Sequence, residues 1–160
     1  MMIGIHTVTE QNYRRILKLE VAEGQEDFIE TPYECLKEAS ECKVFRPVGL
    51  SIDDEFAGFA MYGYFPSEKA GVNGRLWIDR FLVDGEFQGR GLGKRFFQAL
   101  IERVEAEYGK QPIYLSVYAR NVVAIRMYEK FGFVLTGEQD VNGELIMVRS
   151  LEQGACDLYV

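Results

Sequence analysis

The chain is poor in the residues that build metal centres and disulfide frameworks. It has one histidine, His6, and three cysteines, Cys35, Cys42 and Cys156, in 160 residues. The cysteines form no C-x-x-C pair and their number is odd. Neither a metal site nor a disulfide scaffold is expected. Basic residues are outnumbered: Lys+Arg 18 against Asp+Glu 25 leave a net charge of −7. A general nucleic-acid binder needs a basic face for phosphates, and this balance disfavours one. An acidic chain is compatible with a small cationic partner. No apolar run reaches the roughly 18 residues of a membrane-spanning helix, so no membrane association is expected. The opening stretch, MMIGIHTVTE, lacks a basic region followed by a long apolar one. No secretory signal is therefore expected, and a reduced, cytoplasmic setting is the default.

Hydrophobic residues at 48% and aromatics at 13% argue for a packed core rather than disorder. Punctuation by Gly, Asn and Pro divides the chain into alternating patterns. IGIHTVT reads as a strand, and Thr9 as the cap of a helix reaching about Leu19. Thr31-Pro32 with Glu34 signals a second helix, running to about Cys42. VGLSID and FAGFAMYGYF read as a hairpin turning at Asp53-Asp54-Glu55. RLWIDRFLVD (75–84) is the next strand, and residues 89–108 form a long amphipathic helix ended by Gly109. PIYLSVYA is a strand, Asn121 starts a short helix stopped by Gly132, and a final hairpin turns at Asn142-Gly143. The order β–α–α–β–β–β–α–β–α–β–β predicts an α/β (α+β) domain over residues 1–151. Its sheet is mixed, mostly antiparallel, with six to seven strands flanked by about four helices. Residues 152–160 read as a tail.

Three glycines punctuate the centre of the chain, in QGRGLGK (88–94). A strand pattern precedes them and a helix pattern follows. This arrangement presents backbone N–H groups to a phosphate. The spacing is wrong for a Rossmann G-x-G-x-x-G and for a P-loop G-x-x-x-x-G-K-[ST]. Small residues still let a pyrophosphate approach the amides, and Arg90, Lys94 and Arg95 add positive charge.

Gln88-Gly89-Arg90-Gly91-Leu92-Gly93 resembles the Q/R-x-x-G-x-G/A signature of the GNAT superfamily of N-acetyltransferases. NVVAIRMYEKFGF (121–133) resembles that superfamily's N-x-x-A-x-x-x-Y-x-x-x-G-F segment. The stretches QEDFIET, RPVGL, GFAMYGYFP and NGRLWIDRFLVD are similar to bacterial spermine/spermidine N-acetyltransferases. The resemblance implies acetyl-CoA as cosubstrate, without a metal, and a primary amine of a polyamine as acceptor. It also implies, by analogy, a homodimer.

Residue by residue, the resemblance implies that backbone groups of Phe81, Leu82 and Val83 receive the pantetheine arm and polarise the acyl carbonyl. Gln88, Gly89, Arg90, Gly91, Leu92, Gly93 and Lys94 would cradle the pyrophosphate. Asn121 and Lys130 would also hold the cofactor. Tyr128 would protonate the departing sulfur. The amine is mostly protonated at neutral pH, so a base is needed. Asp79, a carboxylate in an apolar strand, is the candidate, on the face expected to carry Trp77, Phe81 and Val83. A structural ion pair with a basic neighbour is the competing reading. Glu26, Asp27, Glu30 and Glu34, with Asp79, are candidates for the polyamine's ammonium groups. Tyr33, Tyr62 and Tyr64 are candidates for its alkyl chain. Another acceptor, such as a protein N-terminus, a lysine or an aminoglycoside, stays open, as does a non-catalytic acyl-CoA-binding module.

Overall fold

The computed structural model describes residues 2–20 and 31–150. Its element order is β1 (Ile3–Thr7), α1 (Tyr13–Leu17), α2 (Pro32–Glu41), β2 (Arg46–Ile52), β3 (Glu55–Phe65), β4 (Arg75–Val83), α3 (Leu92–Tyr108), β5 (Ile113–Val117), α4 (Val122–Lys130), β6 (Phe133–Gln139) and β7 (Leu145–Arg149). These elements form one seven-stranded sheet in the order β1-β2-β3-β4-β5-β7-β6. Only the β4–β5 pair is parallel. The expected element order and mixed sheet are borne out. Glu26, Asp27 and Glu30, Cys156 and the C-terminal tail lie outside the described residues.

Local chemistry explains the ends of the helices. Thr31 Oγ1 accepts from Glu34 N at 3.3 Å and donates to the Glu34 carboxylate at 2.9 Å, a closed capping box. α1 is shorter than the sequence pattern suggested. Asn12 Oδ1 accepts from Thr9 N at 2.8 Å, and its amide donates to Thr7 O at 3.0 Å. That side chain holds residues 9–12 in a turn, so Asn12, not Thr9, precedes the helix.

The sheet carries a core on each face. Phe96, Phe97, Leu100 and Val104 of α3 pack with Leu50, Ile78 and Ile113 on one side. Ile16, Leu19 and Cys35 cover Phe59, Met61 and Leu82 on the other. Tyr62 belongs to the α3 side, fully buried and edge-to-face with Tyr108 at 6.1 Å. The Tyr64 hydroxyl accepts from Gly74 N at 3.0 Å. The buried Tyr62 ring is not placed to receive a ligand's alkyl chain.

Two irregularities in β4 position the site. First, Met61 pairs with Arg80 but Tyr62 pairs with Ile78, so Asp79 is one residue too many. This β-bulge shifts the alternation of faces. Leu76 and Ile78 face α3, and beyond the bulge Phe81 and Val83 do so too, while Leu82 faces the other way. The expected shared face of Trp77, Asp79, Phe81 and Val83 is thereby corrected, because simple alternation does not pass through a bulge. Second, β4 pairs with β5 only at Leu76↔Ile113 and Trp77↔Tyr114. Residues 78–83 have no β5 partner.

Phe97 joins this core to the neighbouring helix. Its ring lies 5.2 Å from Phe81, 5.1 Å from Tyr128 and 5.1 Å from Phe131. Phe97→Ala should cost about 3–5 kcal/mol, the range for a fully buried aromatic. Urea denaturation checks this, and a loss under about 1 kcal/mol would show that the ring is not a packing centre.

Candidate active site

Where β4 and β5 part, a cleft of about 470 Å³ opens. β4 supplies Asp79, Phe81 and Val83 to its wall, the glycine loop Gly89 and Gly93, and α4 Asn121 and Tyr128.

The junction after β4 is tied down tightly. The Asp84 carboxylate accepts from Glu86 N and Glu20 N, each at 2.9 Å, while Gly85 N donates to Glu20 O at 2.8 Å. Gln88 Nε2 donates to Val83 O at 2.9 Å and folds the loop back on the strand. Gly89 and Gly91 then adopt φ of 78° and 74°, left-handed backbone that favours glycine. A Cβ at either would meet no atom within 4 Å, so the loop is bare. Gly91 is the N-cap of α3, gives no side-chain cap, and no acidic residue occupies the first turn. The leading N–H groups of α3 therefore lack intrahelical partners and carry the positive end of the dipole. The Arg90 guanidinium lies 5.3 Å over the Phe87 ring. Lys94, in the first turn, adjoins Lys130 at the end of α4 and holds that ammonium's pKa below its usual value. This uncapped, bare and locally cationic corner suits a phosphate-bearing ligand.

Tyr128 lies partly buried against Phe97 and Phe133, at 5.1 and 6.1 Å between ring centroids. Burial pushes its hydroxyl pKa up to about 12, and the charge of Glu144 adds to the effect. The sign is clear: a raised phenol pKa keeps the proton on, so the Tyr128 hydroxyl stays protonated throughout the neutral range. Asn121 Oδ1 accepts from Ala124 N at 3.4 Å and caps α4, which fixes the helix that carries Tyr128.

Asp79 projects from the bulge and is ion-paired. Arg80 Nη1 lies 2.9 Å from Asp79 Oδ2 and 2.8 Å from the Asp79 carbonyl oxygen. Arg80 Nη2 reaches Glu38 of α2 at 3.5 Å. Arg80 thus ties the bulge to α2, and Thr31 and Glu34 at the start of α2 line the cleft as well.

The sequence matches the Acetyltransferase (GNAT) family over residues 9–133. The chain belongs to the GNAT acetyltransferase family. It is 45% identical over 152 residues to the spermine/spermidine N(1)-acetyltransferase of Bacillus subtilis strain 168, covering 94% of this chain and 100% of that one. Its fold is similar to the crystal structure of aminoglycoside acetyltransferase AAC(6')-Ib in complex with coenzyme A, with a TM-score of 0.73 and 20% identity over 97% of this chain and 98% of that one. It is also similar to the PaiA N-acetyltransferase of Thermoplasma acidophilum in complex with coenzyme A, with a TM-score of 0.64 and 16% identity over 94% of this chain and 99% of that one.

In this GNAT domain the cleft gathers Glu34, Asp79, Phe81, Val83, Gln88, Gly89, Gly93, Asn121 and Tyr128 from the residues singled out in the sequence. Arg90, Gly91, Lys94 and Lys130 do not line the cleft. The side chains of Leu82 and Leu92 are buried in the two cores, so neither can touch a ligand. Sequence reasoning missed Arg80, although opposite charges side by side in an apolar strand were a signal. It also missed Asn142 and Glu144, read only as part of a turn, which line the cleft too.

The loop geometry separates the glycines by substitution. Gly91→Ala forces a side chain into left-handed backbone and should lose about 1–2 kcal/mol. At Gly93 a Cβ would meet only Met127 Sδ at 3.7 Å, an ordinary contact. Gly93→Ala should therefore be neutral or stabilising by about 0.5–1 kcal/mol, as in a helix interior. Urea midpoints of the two variants check this, and equal effects would contradict the assigned conformations.

Proposed function

We propose that the protein is an acetyl-CoA-dependent amine N-acetyltransferase whose acceptor is a polyamine of the spermine/spermidine type, acetylated by direct attack in a ternary complex. The observation that carries the reaction class is the unpaired edge of β4 leading into an uncapped helix N-terminus, with protonated Tyr128 on the same cleft. Support for the acceptor comes from the 45% identity to the Bacillus spermine/spermidine enzyme, whose whole length is covered.

The residues present fit the cosubstrate. The bare left-handed glycines leave room for a pyrophosphate against the amides of residues 89–94. Arg90, Lys94 and Lys130 would supply counter-charge near the phosphates. The open edge at residues 81–83 would accept the pantetheine arm as an added strand, with backbone N–H groups aimed at the acyl oxygen. Asn121 would hold the arm through what its capping carbonyl leaves available, the amide N–H₂. When bound, acetyl-CoA supplies a thioester carbonyl for attack by the amine.

The chain's own groups manage the protons. An aliphatic ammonium of pKa about 10.4 must lose a proton before it can attack. Asp79, on the cleft wall, would take that proton directly or through a water. Arg80 would hold its carboxylate in place meanwhile. Tyr128 would deliver a proton to the leaving sulfur, for which its raised pKa keeps it charged with hydrogen. Glu34, with Glu26, Asp27 and Glu30 of the connection before α2, would attract the acceptor's remaining ammonium groups. Among the described residues no helix is long and apolar enough to cross a membrane. The thiol of Cys42 suits a reducing compartment such as the cytoplasm.

Thiol release from acetyl-CoA across spermine, spermidine, diamines, a lysine peptide and an aminoglycoside tests the proposal. Polyamines should give the highest kcat/KM. Tyr128→Phe should lower kcat on the best acceptor by roughly 10²–10⁴-fold. The ratio of wild type to variant should stay flat from about pH 7 to 10, because the hydroxyl remains protonated there. A Tyr128→Phe kcat within about twofold of wild type, with chemistry rate-limiting, would remove Tyr128 from proton transfer. Preference for the peptide or the aminoglycoside would replace the acceptor.

A further inference from the structure

The carboxylates at the cleft are not equivalent. Asp79 already has a cation, Arg80, at 2.9 Å. Glu34 receives the Thr31 hydroxyl at 2.9 Å as part of a helix cap. Glu144 is different. It stands where β6 turns into β7, on the side of the cleft away from β4. β5 and β7 pair with Val117 opposite Leu145, so the register brings Glu144 opposite Tyr118. Its main chain is fixed. Glu144 N donates to Asp140 Oδ1 at 2.9 Å, and Asp140 N donates to Glu144 O at 2.9 Å. Asn142 N donates to the same Asp140 oxygen at 2.9 Å, so one carboxylate organises the whole turn.

This rigid support leaves the Glu144 side chain partly buried on the cleft wall, with Asn142 beside it. Tyr118 and Tyr128 line the same cleft, and the charge of Glu144 raises both phenol pKa values. The Arg120 guanidinium packs 5.6 Å from the Tyr118 ring, but among the described residues no lysine or arginine is ion-paired with Glu144. A carboxylate partly withdrawn from water and faced by phenols rather than by a cation gains most from a cation that arrives with a ligand. The two walls then divide the work. The β4 wall carries Asp79 at the bulge, beside the open strand edge. The β7 wall carries Glu144, opposite Tyr118 at the end of β5. An extended polyamine has several ammonium groups separated by methylenes, so it offers one to the reaction and another to a second carboxylate on the same cleft.

We propose that Glu144 is a specificity-determining residue of this protein, holding a non-reacting ammonium of the polyamine on the wall opposite Asp79, with the Tyr118 hydroxyl orienting its carboxylate. The inference rests on the amine acetyltransferase reading. Glu144→Gln keeps the shape of the side chain and removes its charge, and the hairpin's hydrogen bonds use only the main chain of residue 144.

The test measures kcat and KM for spermidine and for butylamine in wild type, Glu144→Gln, Glu144→Asp and Tyr118→Phe, at low and high salt, with thermal midpoints recorded. Glu144→Gln should raise KM for spermidine roughly 5–30-fold, as expected for a charge-assisted contact, and raise that for butylamine several times less. Its kcat for spermidine should fall by less than KM rises. Glu144→Asp should recover part of the loss, Tyr118→Phe should show a smaller rise, and wild-type KM for spermidine should depend more steeply on salt than that of Glu144→Gln. A spermidine KM within twofold of wild type, or equal rises for the two amines, would overturn the assignment. If Glu144→Gln fails to fold, Tyr118→Phe and Glu144→Asp decide: unchanged spermidine selectivity in both overturns it. Absence of acetylation of any amine by wild type would instead remove the functional reading itself, which these outcomes keep separate.

Discussion

Hydrogen bonding between β4 and β5 ends after two residue pairs, and the remaining backbone of β4 must find partners elsewhere. Backbone donors and acceptors away from water are costly when unpaired. The protein satisfies one of them itself, with the Gln88 amide on the Val83 carbonyl. The rest of the edge has no β5 partner. The bulge at Asp79 belongs to the same arrangement. It bends β4, turns Phe81 and Val83 toward α3, and puts a carboxylate on the cleft wall. Phe97 and its aromatic neighbours then bring α4 against this region, so Tyr128 reaches the cleft from the helix that Asn121 caps. A perfectly paired, unbulged strand would bury the edge and leave neither cleft nor site.

Charge is segregated between the glycine corner and the cleft wall. The molecule is acidic, yet Arg90, Lys94 and Lys130 gather at the bare glycine corner, and Lys130's lowered pKa reports how closely two ammonium groups are held there. Glu34, Asp79 and Glu144 stand elsewhere on the cleft wall. A phosphate-bearing cosubstrate at the corner and a cationic amine at the cleft wall would each meet a complementary field, which steers association as well as register. Arg80 is the exception, a cation among the acids. Its bridge from Asp79 to Glu38 joins the strand to α2.

The element order was legible in the sequence because its signals are local. Thr31-Pro32 with Glu34, Asn121, Gly109 and Gly132 mark helix ends by their own backbone preferences, and the chain obeys them. The bare loop ahead of α3 was legible for the same reason, since three alternating glycines before an amphipathic helix are a local statement. What escaped notice depends on pairing between distant segments. The bulge exists only in the register of β3 against β4, so no property of RLWIDRFLVD alone reveals that Asp79 is the extra residue. Glu144 meets Tyr118 only through the register of β5 against β7. Tyr62 and Tyr64 look like ligand-facing aromatics in isolation, but the sheet turns one into the core and gives the other's hydroxyl to Gly74. Asn12 displaced Thr9 as the start of α1 because its side chain could bond the backbone of both Thr7 and Thr9.

Amide hydrogen exchange of the intact protein, with and without saturating acetyl-CoA, addresses the central claim that the open β4 edge and the glycine corner together form the cosubstrate site. Binding should slow exchange at residues 81–83 and at 89–94, while amides of β1 and β2, on the far side of the sheet, should change little. Saturating binding that leaves the β4 edge and the glycine loop exchanging as before, with protection appearing elsewhere, would contradict the account.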